Sequence, residues 1–372
     1  MQLPTGSDYF EAVQNPKICY KSSDLCDGKP ELVLPLGLPR CMSGQNALVF
    51  PITLKNNKRS AVRCFLNYQD DQQFRYQKIS EYLHQKNLSF MVDFRFSEHG
   101  IKVQNVWYPL LQMDWIEGLT LDKYVGKNYK NKIKMFGLAY KFLNLIGNLK
   151  NNQIAHGDLQ HGNILVKNDE LILIDYDGVY VPELSGLLPI EFGHPNYQHP
   201  LKAHDYNMNM DNFSAWVIFI SIILIGCYPQ IWESIPSQER GDQYLILKKS
   251  DYRDPHNSVT LKKLTSIDES INKLPKLLRS FIISPIKIPS PADFQIPSYT
   301  SDDRWLFQYI DTLFKPSILI QKNDSFIEQE KTSSPVVANS TISTKNNMIQ
   351  GVQPQSGNPT WIEDHTNTVK RK

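Results

Sequence analysis

The run from Phe213 to Tyr228, FSAWVIFISIILIGCY, constrains the fold more than any other stretch of this 372-residue chain. Ser214 and Ser221 are its only aliphatic polar residues, and they form no polar face. A helix that is apolar all round has to be buried, in a large core or in a bilayer. The run has 16 residues, whereas a bilayer span needs roughly 20. A buried central helix is therefore expected, and no membrane span.

The remaining composition is that of an ordinary globular protein, with 41% apolar and 21% charged residues. A formal net charge of +2 is too small to imply a nucleic-acid or membrane partner. Cys19, Cys26, Cys41, Cys64 and Cys227 are odd in number and scattered, with no close CxxC pair. Neither a zinc site nor a disulfide framework is expected, and the usage fits a reducing cytoplasm. Met1 to Thr5 shows neither a basic nor an apolar leader region, so no signal peptide is expected.

The chain divides by pattern. Asn46 to Leu54 and Arg59 to Leu66 are β-rich, with Asn56-Asn57 as a hairpin turn between them. Asp70 to Gln85 reads as a helix with Phe74, Ile79 and Leu83 on its apolar side. Phe90 to Phe96 and Val106 to Trp115 read as two more strands, and Gly118 closes this part. Helices then dominate. Lys132 to Lys150 is amphipathic, and a short strand pair follows at Asn163 to Val166 and Glu170 to Ile174. Residues 236–284 are hard to read apart from a helix over Leu274 to Ile283, and Asp303 to Phe314 keeps a helical pattern after a proline-rich stretch. Beyond Lys315 the chain is rich in Ser, Thr, Asn, Gln and Pro, a composition expected to stay disordered.

Asp158 and Asn163 lie in a polar run that leads into the β-rich Ile164-Leu165-Val166. A carboxylate and an amide five residues apart on a loop can face one shared pocket, or each can merely cap a turn. Asp175 ends the apolar strand from Leu171 to Ile174. An oxygen-donor set of this kind suits Mg²⁺, which is held by one or two carboxylates together with substrate phosphates.

Taken together, these residues resemble the protein kinase superfamily. His156-Gly157-Asp158-Leu159-Gln160-His161-Gly162-Asn163 matches the pattern H-x-D-L-x-x-x-N. Asp175-Tyr176-Asp177-Gly178 lies where the family has D-F-G. Ala61-Val62-Arg63 stands for V-A-I-K, and Met113 to Gly118 for the linker between lobes. Gly193 to Pro200 resembles the stretch running into A-P-E, and Asp211 to Ser214 resembles D-x-W-S at the start of the central helix. The match covers residues 35 to 235.

The resemblance implies an α+β, bilobal fold. Residues 1–33 would be an N-terminal extension, 34–284 the kinase-like domain with its lobes meeting near 117 and 118, 285–314 a proline-rich and short helical segment, and 315–372 a polar tail. It implies ATP and Mg²⁺ as cofactors and a protein Ser/Thr hydroxyl as acceptor. Asp158 would be the catalytic base, and Asn163 and Asp175 the metal ligands. Arg63 would bind phosphates with Glu81 as its ion-pair partner, and the backbone of Asp114 and Ile116 would meet adenine. His156 and Asp211 would be structural. Residues 1–33 and the tail show no chemistry, and partner binding is the role open to them.

Several positions depart from the family. Only Gly37 and Gly44 lie ahead of the hairpin, so a G-x-G-x-x-G loop is lacking. Arg63 replaces lysine, a planar fork in place of a point charge. Gln160 stands where many members carry a second lysine, Gly157 replaces the arginine that usually meets a phosphorylated loop, and Leu201 replaces the A-P-E glutamate. Activation by loop phosphorylation is not expected. These departures leave a nucleotide-binding or scaffolding pseudokinase as an alternative to an active protein kinase. The H-G-D-x-x-x-x-N and I-D-Y-D patterns also resemble small-molecule kinases of the aminoglycoside or choline type, against which Gly193 to Pro200 and the Asp211 helix start argue.

Overall fold

A computed structural model of the chain describes residues 2–314, apart from 45, 202–204, 237–238, 240–242 and 285–286. The tail expected to be disordered lies outside the described residues. The architecture is α+β. An antiparallel sheet and its covering helices form one part, and a helical core forms the other.

Three short helices open the chain: α1 (Gly6–Val13), α2 (Pro16–Cys19) and α3 (Ser23–Cys26). Strands β1 (Lys29–Pro30), β2 (Leu32–Val33), β3 (Leu38–Pro39) and β4 (Met42–Ser43) are two residues each. The long strands are β5 (Ala47–Thr53), β6 (Arg59–Phe65), β7 (Phe94–Val103) and β8 (Val106–Asp114). Helix α4 (Gln72–Lys86) sits between β6 and β7 and ends on Asn87 in the left-handed conformation. The sheet order is β1-β5-β6-β8-β7, with β4 also pairing β5, while β2 and β3 form a separate hairpin. The turn between β5 and β6 falls on Asn57 at φ 63°, as the Asn-Asn pair predicts.

Strand periodicity decides which face each side chain meets. On β6, Val62 and Cys64 point to an outer cluster with Leu48, Phe50, Ile52, Ile101 and Leu110. That face is covered by Tyr9, Val13, Cys19, Tyr20 and Leu25 of the three opening helices. The three opening helices thus pack on the sheet as its cover. Arg63, between Val62 and Cys64, points to the opposite face, towards α4.

Helix α4 differs from its expected pattern in one respect. Phe74 is 45% exposed, while Tyr76 is 2% exposed and stacks on Phe96 with ring centroids 5.5 Å apart. The apolar side therefore runs through Tyr76, Ile79 and Leu83.

The second part begins with β9 (Leu119–Thr120), α5 (Leu121–Asn128) and α6 (Lys132–Asn151), followed by β10 (Ile164–Lys167) and β11 (Glu170–Leu173). These strands form a small sheet in the order β11-β10-β9. The apolar run is α7 (Asn212–Cys227), and every residue from Phe213 to Gly226 is buried. Helices α8 (Pro229–Glu233), α9 (Lys249–Arg253), α10 (Val259–Thr265), α11 (Glu269–Ile283) and α12 (Arg304–Leu313) follow. The proline-rich segment belongs to this core too: Trp216 Nε1 donates to the Pro289 carbonyl at 2.8 Å, and Trp305, Leu306, Tyr309, Ile310 and Leu313 of α12 are buried. No helix among the described residues is long and apolar enough to cross a membrane.

The outer cover yields a measurable consequence. Tyr9 is fully buried and its hydroxyl donates to the Phe65 carbonyl at 2.9 Å. Tyr9→Ala is expected to cost about 3–5 kcal/mol, and Tyr9→Phe about 1 kcal/mol, in urea unfolding of the full chain. Equal, negligible effects would show that the opening helices do not cover the sheet.

Candidate functional site

Three stretches of chain bring the sequence-marked polar residues together. The first is the loop from His156 to Asn163, which ends in a single 3-10 turn before β10. It is tied down by the buried helix. The Asp211 carboxylate, at the start of α7, accepts the backbone N–H of His156 and, at 3.0 Å, that of Gly157. The His156 ring is fully buried with Nε2 2.9 Å from the Ile174 carbonyl. His156 and Asp211 both bond to backbone at this loop.

Gly157 has φ +82°, and a Cβ there would overlap the carbonyl of Gly178. Gly193, at φ +69°, would press a Cβ against the Gly157 carbonyl at 2.7 Å. Backbone from three segments meets at this point because none of them carries a side chain.

Asp158 is 9% exposed and its carboxylate accepts three hydrogen bonds. The His194 N–H donates to Oδ1 at 2.5 Å, while Gln160 Nε2 at 3.0 Å and Asn163 Nδ2 at 2.9 Å donate to Oδ2. Asn163 Nδ2 also donates to the Asp158 carbonyl at 2.9 Å. The nitrogen end of the Asn163 amide is therefore committed, and its oxygen accepts no hydrogen bond among the described residues. Gln160 orients Asp158 in this arrangement.

The second stretch leaves β11. Asp175 adopts φ +68°, a left-handed conformation costing a non-glycine residue about 1–2 kcal/mol. Such strain persists where surrounding contacts fix it, and functional sites are enriched in it. The Asp175 side chain is 34% exposed. Tyr176 is buried and donates to the Leu173 carbonyl at 2.9 Å.

The third is β6, whose alternation aims Arg63 inward. The guanidinium is buried and forked: Nη1 donates to Asp175 Oδ1 and Nη2 to Asp177 Oδ2. Asp177, 8% exposed, accepts a further hydrogen bond at Oδ1 from the Tyr76 hydroxyl of α4. Burial pushes the Asp177 carboxyl up, to about 6, against the opposing pull of Arg63. Glu191 stands close by. Burial, followed by the charges of Asp175, Asp177 and Asp158, pushes it up to about 9. A cavity of about 160 Å³ adjoins it, lined in part by Gly157, Glu191, Phe192 and Gln198.

Glu81 does not join this group. It lies on the outer side of α4, where Lys78 Nζ at 3.0 Å and Gln77 Nε2 at 2.9 Å bond its carboxylate. The expected Arg63–Glu81 pair is thus replaced by Arg63 with Asp175 and Asp177. Glu81 is the only carboxylate on α4, and helical geometry turns it away from the face that carries Tyr76, Ile79 and Leu83.

Asp114 ends β8 opposite Ser60. The Met113 carbonyl accepts the Ser60 hydroxyl at 3.0 Å, and the Trp115 N–H donates to the Arg59 carbonyl at 3.0 Å. The Ile116 backbone makes no hydrogen bond among the described residues.

Among the described residues, no three His, Cys, Asp or Glu side chains are placed to hold a metal ion as a set. The donor chemistry nonetheless fits magnesium. That ion uses few protein ligands and completes its shell with water and phosphate, and Asp175 with the uncommitted Asn163 oxygen offers two hard donors. Tyr76, Asp177 and Gln160 are the site residues the sequence reading did not assign. The Arg63 substitution was the available signal, because a guanidinium fork is matched by two carboxylate partners and Asp175-x-Asp177 supplies them.

Compared with known proteins, the sequence matches no family model, and no curated protein is significantly similar to it.

The close approach at Gly157 can be tested against a control. Gly186 has a similar φ, +86°, with nothing within 4 Å of a built Cβ. Gly186→Ala is expected to cost about 1 kcal/mol from conformation alone. Gly157→Ala is expected to cost at least about 3 kcal/mol, because overlap adds to strain. Thermal unfolding of both variants checks the difference.

Proposed function

We propose that this chain is an ATP- and Mg²⁺-dependent phosphotransferase of the protein-kinase type, acting on a Ser or Thr hydroxyl of a protein. The observation that carries the reading is that the hydrogen-bonded pair Asp158–Asn163 and the ion pair Arg63–Asp175, from three separate stretches of chain, both lie close to Glu191. Each arrives in the order and spacing that the resemblance to the superfamily implies. The bilobal kinase fold belongs to the same proposal, supported by an antiparallel sheet part, a helical part and a short linking segment at Trp115 to Gly118.

In this reading Asp158 receives the proton of the acceptor hydroxyl. Its three hydrogen bonds fix the carboxylate orientation, which a general base requires before proton transfer. Asn163 and Asp175 would hold Mg²⁺, which neutralises charge building on the phosphoryl oxygens. Arg63 supplies the cation for the phosphates, and the Ile116 backbone the adenine contact. The acceptor would approach over the cavity beside Gly157 and Glu191.

One observation favours a second reading, nucleotide binding without transfer. Arg63 is engaged by both Asp175 and Asp177, so the same carboxylate serves a guanidinium and the expected metal. A misplacement of about 1 Å at a reacting centre can cost on the order of 100-fold in rate.

Labelled ATP, Mg²⁺ and a generic protein substrate decide between them. Transfer to protein by the wild type is expected, with Asp158→Asn reducing kcat roughly 100- to 10,000-fold and Asp175→Asn abolishing Mg²⁺-dependent turnover. ATP binding without transfer would establish the second reading. Turnover on a small alcohol without protein labelling would overturn both.

A further inference from the structure

We propose that Asp177, held by the Tyr76 hydroxyl, is the residue that positions Arg63 for nucleotide phosphate, and that helix α4 acts on the site through this tyrosine. The inference rests on the phosphotransferase reading and adds two residues that the resemblance does not assign.

Arg63 needs an anchor other than its metal-binding neighbour. Asp175 is partly exposed and is the carboxylate that a divalent cation would use, so its contact to the guanidinium would be shared with the cation once the site is loaded. Asp177 is buried, faces the same guanidinium through Nη2, and is not required as a ligand. Helix α4 offers no carboxylate for the task, because Glu81 is engaged with Lys78 and Gln77 on its outer side.

Asp177 is itself fixed from α4. Its second oxygen accepts the Tyr76 hydroxyl, and the Tyr76 ring is clamped by Phe65, Phe94 and Phe96, with centroids 5.5–5.8 Å away. Gln72, one turn earlier, places its Nε2 3.4 Å from that hydroxyl. One carboxylate thus joins a β6 cation to an α4 hydroxyl. The same helix reaches the segment ahead of Gly193, where Arg75 Nη2 donates to the Leu188 carbonyl at 2.7 Å and its guanidinium lies 5.3 Å from the centre of the Tyr206 ring. A shift of α4 would therefore move Asp177 and Arg63 along with that segment.

The test uses the full chain with Asp177→Asn, Tyr76→Phe, Arg63→Met and the double variant Arg63→Met/Asp177→Asn. Two readouts are taken: ATP affinity by calorimetry, and the rotation of the Arg63 guanidinium by nitrogen-15 NMR. Asp177→Asn is expected to weaken ATP binding roughly 10- to 100-fold, as loss of a charge-assisted contact implies. Tyr76→Phe is expected to weaken it less, with the melting temperature lowered by the loss of one buried hydrogen bond.

In the Arg63→Met background, Asp177→Asn should have no further effect on affinity, because coupled residues are non-additive. Additive losses, or an Arg63 guanidinium equally restrained in wild type and Asp177→Asn, would overturn the proposal. A wild type that binds no ATP would overturn the phosphotransferase reading together with the phosphate role given to Arg63. Slowed rotation that is lost in Asp177→Asn and reduced in Tyr76→Phe would still support Asp177 and Tyr76 as the groups that hold the guanidinium.

Discussion

One buried guanidinium joins the two parts of this protein. Arg63 leaves the central strand of the sheet and finds Asp175 and Asp177 on the far side of the junction, more than a hundred residues later in sequence. A buried charge without partners is costly, and removing one partner of a buried pair typically costs about 3–5 kcal/mol. The loop after β11, the inner face of β6 and the position of α4 are therefore interdependent. The strained φ of Asp175 is consistent with that interdependence, since a left-handed aspartate is kept only where its contacts outweigh the conformational cost.

The other constraint is the apolar helix. With no polar face, α7 must be surrounded, and α6, α8, α11 and the segment from Pro289 onward surround it. Its burial gives the loop a rigid floor. Asp211 sits at the start of that helix and accepts two successive backbone N–H groups, so the position of Asp158 follows from the packing of the core. The resulting site combines a fixed carboxylate with a cation whose contacts span two others.

Much of this was legible from residue order. The apolar run, the Asn-Asn hairpin, the strand pair over residues 163–174 and the loop motif with Asp175 all stand where pattern and spacing put them. The failures have physical causes. Glu81 was read from spacing along the chain, but partner choice depends on helix phase, and its phase points outward. Phe74 was read as core from its helical spacing with Ile79 and Leu83, whereas the buried aromatic is Tyr76, whose hydroxyl has a partner in Asp177. Residues 1–33 looked featureless because each of their helices is short, with periodicity too brief to register. Their burial is visible only once the outer face of the sheet is seen to need a cover. Gln160 was judged by the charge it lacks, while its amide is used to orient a neighbour.

The meeting of Gly157 with Gly178 limits how this chain can change. Their backbones approach so closely that no β-carbon fits at position 157, and the conformation there disfavours one as well. An arginine at that position would find no room for its β-carbon. It would push apart the loop that carries Asp158 and the segment that carries Asp175 and Asp177. A side chain can be accommodated at position 157 only by reshaping Gly178 and its neighbours at the same time, so the glycine there is held in place by geometry.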